Sequence, residues 1–174
     1  MKTIPSILAA LLAFAAPALA DKKDKDKEEA TAPDATVDKI VFPAEVANGA
    51  AFDKAALAGK VVVVEEWGVN CAPCIASLPD MAKLAKRYEK KGLVVLGFER
   101  QQGSKEEILK LLKPARVQYP VFSGGSAGVE SKGIPHACVF GADGKLIWHG
   151  HPMDKEFEDS VKDALKAIKP VASR

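Results

Sequence analysis

The sequence predicts an α/β domain with a mixed central sheet flanked by helices on both faces, and three observations carry that reading. Val61-Val62-Val63-Val64 is a continuous β-branched run, the mark of a central strand covered on both sides. Ile75, Leu78, Ala82, Ala85 and Tyr88 then recur at helical spacing. Further on, Ala137–Phe140 and Leu146–Trp148 flank Asp143-Gly144, a hairpin signal, so alternating strands and helices give way to an antiparallel pair.

In chain order, residues 1–20 read as a secretory signal peptide. Lys2 makes a basic start, Ile7 to Ala16 an apolar stretch, and Ala18-Leu19-Ala20 supplies small residues for cleavage between Ala20 and Asp21. The apolar stretch is about half the ~20 residues a spanning helix needs, so no membrane span is expected in the mature chain. The expected location is periplasmic or otherwise exported. Residues 21–37 open with DKKDKDKEE and hold too little apolar surface to offset the entropy of ordering; they read as a charged, disordered tether. Residues 38–174 then form one domain. A formal net charge of +2, with no concentrated basic stripe, argues against nucleic acid as a partner.

Within the domain, short strands are expected near Ile40–Phe42 and Ala50–Phe52. The Val61–Val64 strand ends in Glu65-Glu66-Trp67, and Gly68-Val69-Asn70 leads into Cys71-Ala72-Pro73-Cys74. Pro73 suits a first helical turn, Pro79 should kink the helix, and Gly92 stops it. Leu93 to Phe98 is a second buried strand. Ser104 and Glu107 have the capping-box spacing for a helix carrying Ile108, Leu111 and Leu112, which Pro114 ends. Val117 to Phe122 reads as a third strand and Gly124–Gly128 as loop. A last helix runs from about Asp154 to Pro170, with Phe157, Val161, Leu165 and Ile168 on one face.

The chemistry lies in the C-x-x-C at the strand-to-helix junction. Cys71 falls at the helix N-terminus, where unpaired N–H groups and the dipole favour a thiolate; Cys74 lies one turn further in. Cys71 is then the attacking nucleophile and Cys74 the resolving thiol. A zinc half-site and a static disulfide are the alternatives, but zinc needs two more ligands and only His149 and His151 form a further close pair. Those histidines, Trp67, Trp148 and Cys138 read as surface or packing groups.

Gly59-Lys60 with the valine run, Trp67, Cys71-Ala72-Pro73-Cys74, Pro79 and Gly133-Ile134-Pro135 stand in the order and spacing of thioredoxin-fold proteins. From Phe52 to Ile168 the chain resembles that family. With its N-terminal extension and the helix-containing insertion between Phe98 and Val117, it is similar to the TlpA/ResA-type exported thiol–disulfide oxidoreductases. The resemblance implies a protein-disulfide reductase that needs no cofactor beyond the redox-active Cys71–Cys74 disulfide. Pro135 would be the cis-proline that binds substrate backbone, flanked by Ile134 and His136. Glu65 would be the buried acid that exchanges a proton with Cys74, while Ala72 and Pro73 tune the couple. Partners would be protein thiols and disulfides, including apocytochromes in cytochrome c maturation, with a membrane thiol carrier as reductant. A monomer is expected.

Three positions depart from the family pattern. Asn70 replaces an aromatic before the first cysteine. Glu66 replaces an apolar residue; strand alternation puts Glu65 and Glu66 on opposite faces, and Glu66 is expected to reach solvent. His136 replaces a small hydroxyl residue, and its imidazolium would stabilise a Cys71 thiolate. The rival readings are a disulfide-forming oxidase using the same atoms, a Cu(I)-handling chaperone using Cys71, Cys74 and His136, and a peroxidase of the same broad fold. The two-residue spacing argues against copper, and no threonine near Cys71 supports the peroxidase.

Overall fold

A computed structural model describes residues 34–168, apart from 44 and 49–51. The signal-peptide reading, nearly all of the tether, most of the Ala50–Phe52 strand and Pro170 lie outside the described residues. Five strands, β1 (Val61–Trp67), β2 (Leu93–Glu99), β3 (Val121–Ser123), β4 (His136–Phe140) and β5 (Leu146–Gly150), form one sheet in the order β3-β2-β1-β4-β5. β1, β2 and β3 run parallel, whereas β4 and β5 add antiparallel pairings. Three α-helices connect them: α1 (Ala72–Tyr88), α2 (Lys105–Ala115) and α3 (Lys155–Ala167).

All seven residues of β1 are buried, as the apolar run requires. Their alternation divides the interior into two cores. Val61, Val63 and Trp67 share the first with Cys71, Cys74, Leu78, Ile108, Leu112, Phe157 and Val161, so the three α-helices cover one face, where the sequence predicts helices on both. Two successive crossovers, β1-α1-β2 and β2-α2-β3, step the same way across the sheet. Right-handed connections therefore put α1 and α2 on the same side. Val62, Val64, Phe98, Phe122 and Phe140 belong to the second core. Its cover is thinner: 3-10 turns at Val37–Lys39 and Lys54–Leu57, extended chain, and the loop after β3. Phe42, Phe52, Phe98 and Phe122 interlock there with ring centroids 5.2–5.7 Å apart.

Local signals fix most boundaries. The Ser104–Glu107 capping box forms in both directions. Gly92, at φ 96°, ends the 3-10 turn that follows α1, and Gly144, at φ 80°, turns the β4–β5 hairpin. α2 runs one residue past Pro114, because a proline in the last turn forfeits little and Arg116 closes the helix at φ 58°. β3 is shorter than the expected Val117–Phe122: Val117 N–H is spent on Leu112 O and Pro120 has no N–H to offer. Near Ile40–Phe42 only Val41 pairs, in a lone bridge to Ser126, and Pro43 stops it extending. Packing begins before residue 38: Ala35 is buried, and Thr36 bridges Lys145 at the edge of the hairpin.

Candidate active site at the Cys71–Cys74 disulfide

Cys71 caps α1 and is joined to Cys74 by a disulfide, with Cα atoms 5.2 Å apart. Cys74 is fully buried, while Cys71 keeps 8% of its surface. The Cys74 N–H points at Cys71 Sγ, 3.3 Å away, so a helix-terminal donor already faces the sulfur that would carry charge. Ala72 and Pro73 are exposed beside the pair, as is Asn70. The Ile134–Pro135 bond is cis, and half-buried Ile134 packs against the core that contains both cysteines.

The loop before Cys71 is held by a residue the sequence reading missed. Glu99, at the end of β2, is fully buried, and its carboxylate accepts the N–H groups of Val69 (3.3 Å), Gln101 (2.9 Å) and Gly103 (2.8 Å). Gln101 Oε1 accepts the Asn70 N–H at 2.8 Å. Two loops thus share one anion. The one available signal was an acid ending an otherwise apolar strand.

Glu65 lies on the helix-covered face, beneath Cys74's core. Burial lifts its pKa to about 7, against the opposing effect of a hydrogen bond from the Tyr119 hydroxyl. Tyr119 was also unforeseen, since nothing in a strand-like Val117–Phe122 segment marks one residue as a carboxylate partner.

Glu66 does not reach solvent. It is 1% exposed on the opposite face, where it forms ion pairs with Arg100 and with His136 Nδ1 (3.2 Å) and accepts the Ala127 N–H at 3.1 Å. Burial pushes its pKa up, but the hydrogen bonds from His136 and Ala127 and the charges of Arg100 and His136 bring it below the usual value. The same network corrects the expectation for His136. In β4 its side chain falls with Cys138 and Phe140, on the face away from the disulfide's core, and its Nε2 faces His149 Nδ1 at 3.3 Å. A Cu(I) site built from Cys71, Cys74 and His136 would need that ring on the other side. Among the described residues, no group of three or more His, Cys, Asp or Glu side chains is arranged to hold a metal.

Comparison with known proteins agrees with this architecture. The AhpC/TSA family model matches residues 29–147. NHL repeat-containing protein 2 of Gallus gallus is 33% identical over 94 residues, covering 53% of this chain and 11% of that protein. The thiol-disulfide oxidoreductase ResA of Bacillus thuringiensis is 24% identical over 116 residues, covering 64% of this chain and 65% of that one. The chain therefore spans less than two thirds of either relative. Among solved structures, a thiol:disulfide interchange protein of the thioredoxin family from Chlorobium tepidum superposes with a TM-score of 0.58 at 26% identity. That match covers 72% of this chain and 94% of the other.

Proposed function

The chain belongs to the AhpC/TSA family, and we propose that it is an exported thiol–disulfide oxidoreductase that reduces disulfides of partner proteins. The observation that carries the reading is the asymmetry of the pair: Cys71 caps the helix N-terminus and keeps 8% of its surface, whereas Cys74, joined to it, is wholly buried.

In the reduced protein, the Cys71 thiolate attacks a partner disulfide. A mixed disulfide forms, and the departing partner thiolate takes a proton from water. Cys74 then passes its proton to the Glu65 carboxylate and attacks Cys71 Sγ. The Cys71–Cys74 bond closes, the second partner thiolate leaves, and Glu65 returns its proton to solvent. Two electrons reach the partner, and a membrane thiol carrier would restore them. Ile134, Pro135 and the backbone of His136 would bind the partner chain alongside. The resemblance to TlpA/ResA-type proteins implies this direction and makes proteins awaiting haem attachment a suitable partner class.

The test is the reduction potential of the Cys71–Cys74 couple, equilibrated against defined thiol buffers. A value near or below about −270 mV supports the reductase, and one near about −120 mV replaces it with an oxidase. A pair that forms no reversible disulfide overturns both.

A further inference from the structure

Glu65 is held by a side chain that the proposed reaction has not yet used. Tyr119 sits between α2 and β3, and its hydroxyl donates to Glu65 Oε1. Oε2 makes no hydrogen bond among the described residues.

Three segments converge to build this contact. Gly97 lies opposite Glu65 in β2. A Cβ on Gly97 would meet Val121 Cγ2 at 3.0 Å, Tyr119 Cε2 at 3.4 Å and Glu65 Oε1 at 3.5 Å, so the missing side chain is the space the pair occupies. Asn48 pins the tyrosine's backbone: its Nδ2 donates to Tyr119 O at 2.7 Å, and its Oδ1 accepts the Val121 N–H at 3.3 Å. Phenylalanine would fill the same core volume without a hydroxyl that must be paired.

We propose that Tyr119 is a positioning residue for thiol–disulfide exchange, orienting Glu65 and keeping its carboxylate empty so that it can accept the Cys74 proton. The proposal rests on the proton role assigned to Glu65 above. A hydroxyl donor favours the carboxylate over the protonated acid, opposing the burial that raises Glu65 to about 7. As Cys74 loses its proton, Oε2 gains it; the Tyr119 O–H bond is neither made nor broken, and no electron passes through the ring.

The experiment compares the mature protein with Tyr119→Phe, Glu65→Gln and the double variant. It reads the Glu65 carboxyl by carbon-13 NMR titration and the rate of mixed-disulfide resolution against pH. Tyr119→Phe is expected to move both midpoints upward by about one unit, a loss of about fivefold at the original midpoint that approaches about tenfold below it and disappears at high pH. Glu65→Gln should flatten the dependence, and adding Tyr119→Phe should then change nothing. An unmoved midpoint in Tyr119→Phe, or an equal loss in the Gln background, overturns the proposal while the role of Glu65 stands. If Glu65→Gln keeps the wild-type profile, the proton role of Glu65 itself falls, and Tyr119's with it. Should the Phe variant fold poorly, Asn48→Ala gives the same reading by loosening the tyrosine, with a smaller upward shift expected and an unmoved midpoint again overturning the proposal.

Discussion

Glu65 and Glu66 are consecutive residues of one buried strand, yet their carboxyls occupy opposite faces of the sheet and opposite electrostatic settings. Glu65 has an apolar surround and a single tyrosine hydroxyl, and titrates at about 7. Glu66 is paired with Arg100 and His136 and is held below the ordinary carboxylate value. Strand alternation creates the difference, and each setting has its own consequence for stability.

Glu65 should weaken the fold as pH rises. Its native pKa of about 7 lies above the unfolded value of 4.5, so between these pH values the native state holds a proton the unfolded chain has released. Stability therefore falls from pH 4.5 to 7 and is level beyond. Glu65→Gln should be more stable than wild type by up to about 3 kcal/mol at pH 8, with no advantage below pH 4.5. Urea unfolding of the oxidised proteins at both pH values measures it; an equal gain at the two would show that proton linkage is not the cause.

Glu66 has the opposite sign. Its depressed pKa contributes stability that is present above 4.5 and lost as pH falls through the native value. Glu66→Gln leaves Arg100 without its counter-charge and weakens the contact to His136 Nδ1, and should cost about 3 kcal/mol at neutral pH. The urea midpoint should fall accordingly, and the difference should narrow in acid.

Glu99→Gln tests the shared anion beneath the cysteine loop. The amide keeps one acceptor oxygen where the carboxylate supplies two, so at least one of the N–H groups of Val69, Gln101 and Gly103 loses its partner. A loss of about 1–3 kcal/mol is expected. Amide hydrogen exchange should accelerate at those three positions and leave β1 unchanged.

Cys138 should be inert in the folded protein. It is fully buried, and burial first, then the nearby Glu66 charge, push its thiol far above the ordinary range. A thiol reagent at pH 8 should find no reactive group in the native oxidised chain and one after unfolding in urea. Rapid native labelling at Cys138 would contradict this burial.

The elements carried by local rules were legible: the valine strand, the α1 stripe, the Ser104–Glu107 box, the Asp143-Gly144 turn and the cysteine pair. Pro135 as a cis residue and Glu65 as a buried acid came from the family resemblance. Glu99, Tyr119 and the Glu66–His136 pair were not legible, because each depends on a partner from another element. Glu66 meets His136 70 positions away, and Tyr119 meets Glu65 across 54. Alternation correctly separated the two glutamates. It cannot say that a histidine and an arginine wait on the second face, so the sequence alone points Glu66 to solvent and His136 to the wrong side.

The thin cover of the second face also bears on the order of assembly. Ala35 closes on Leu146, Val41 on Ser126 and Val46 on Phe122, pairings that span most of the domain. The β1-α1-β2 and β2-α2-β3 units need only near neighbours and can form early, whereas contacts of such long separation come late. During synthesis the segment around residues 35–46 emerges before the strands it covers and has nothing to dock on until residues 121–146 follow. Until then Val62, Val64, Leu96 and Phe98 stand uncovered, and the nascent chain passes through an interval in which half of its sheet is open to other chains.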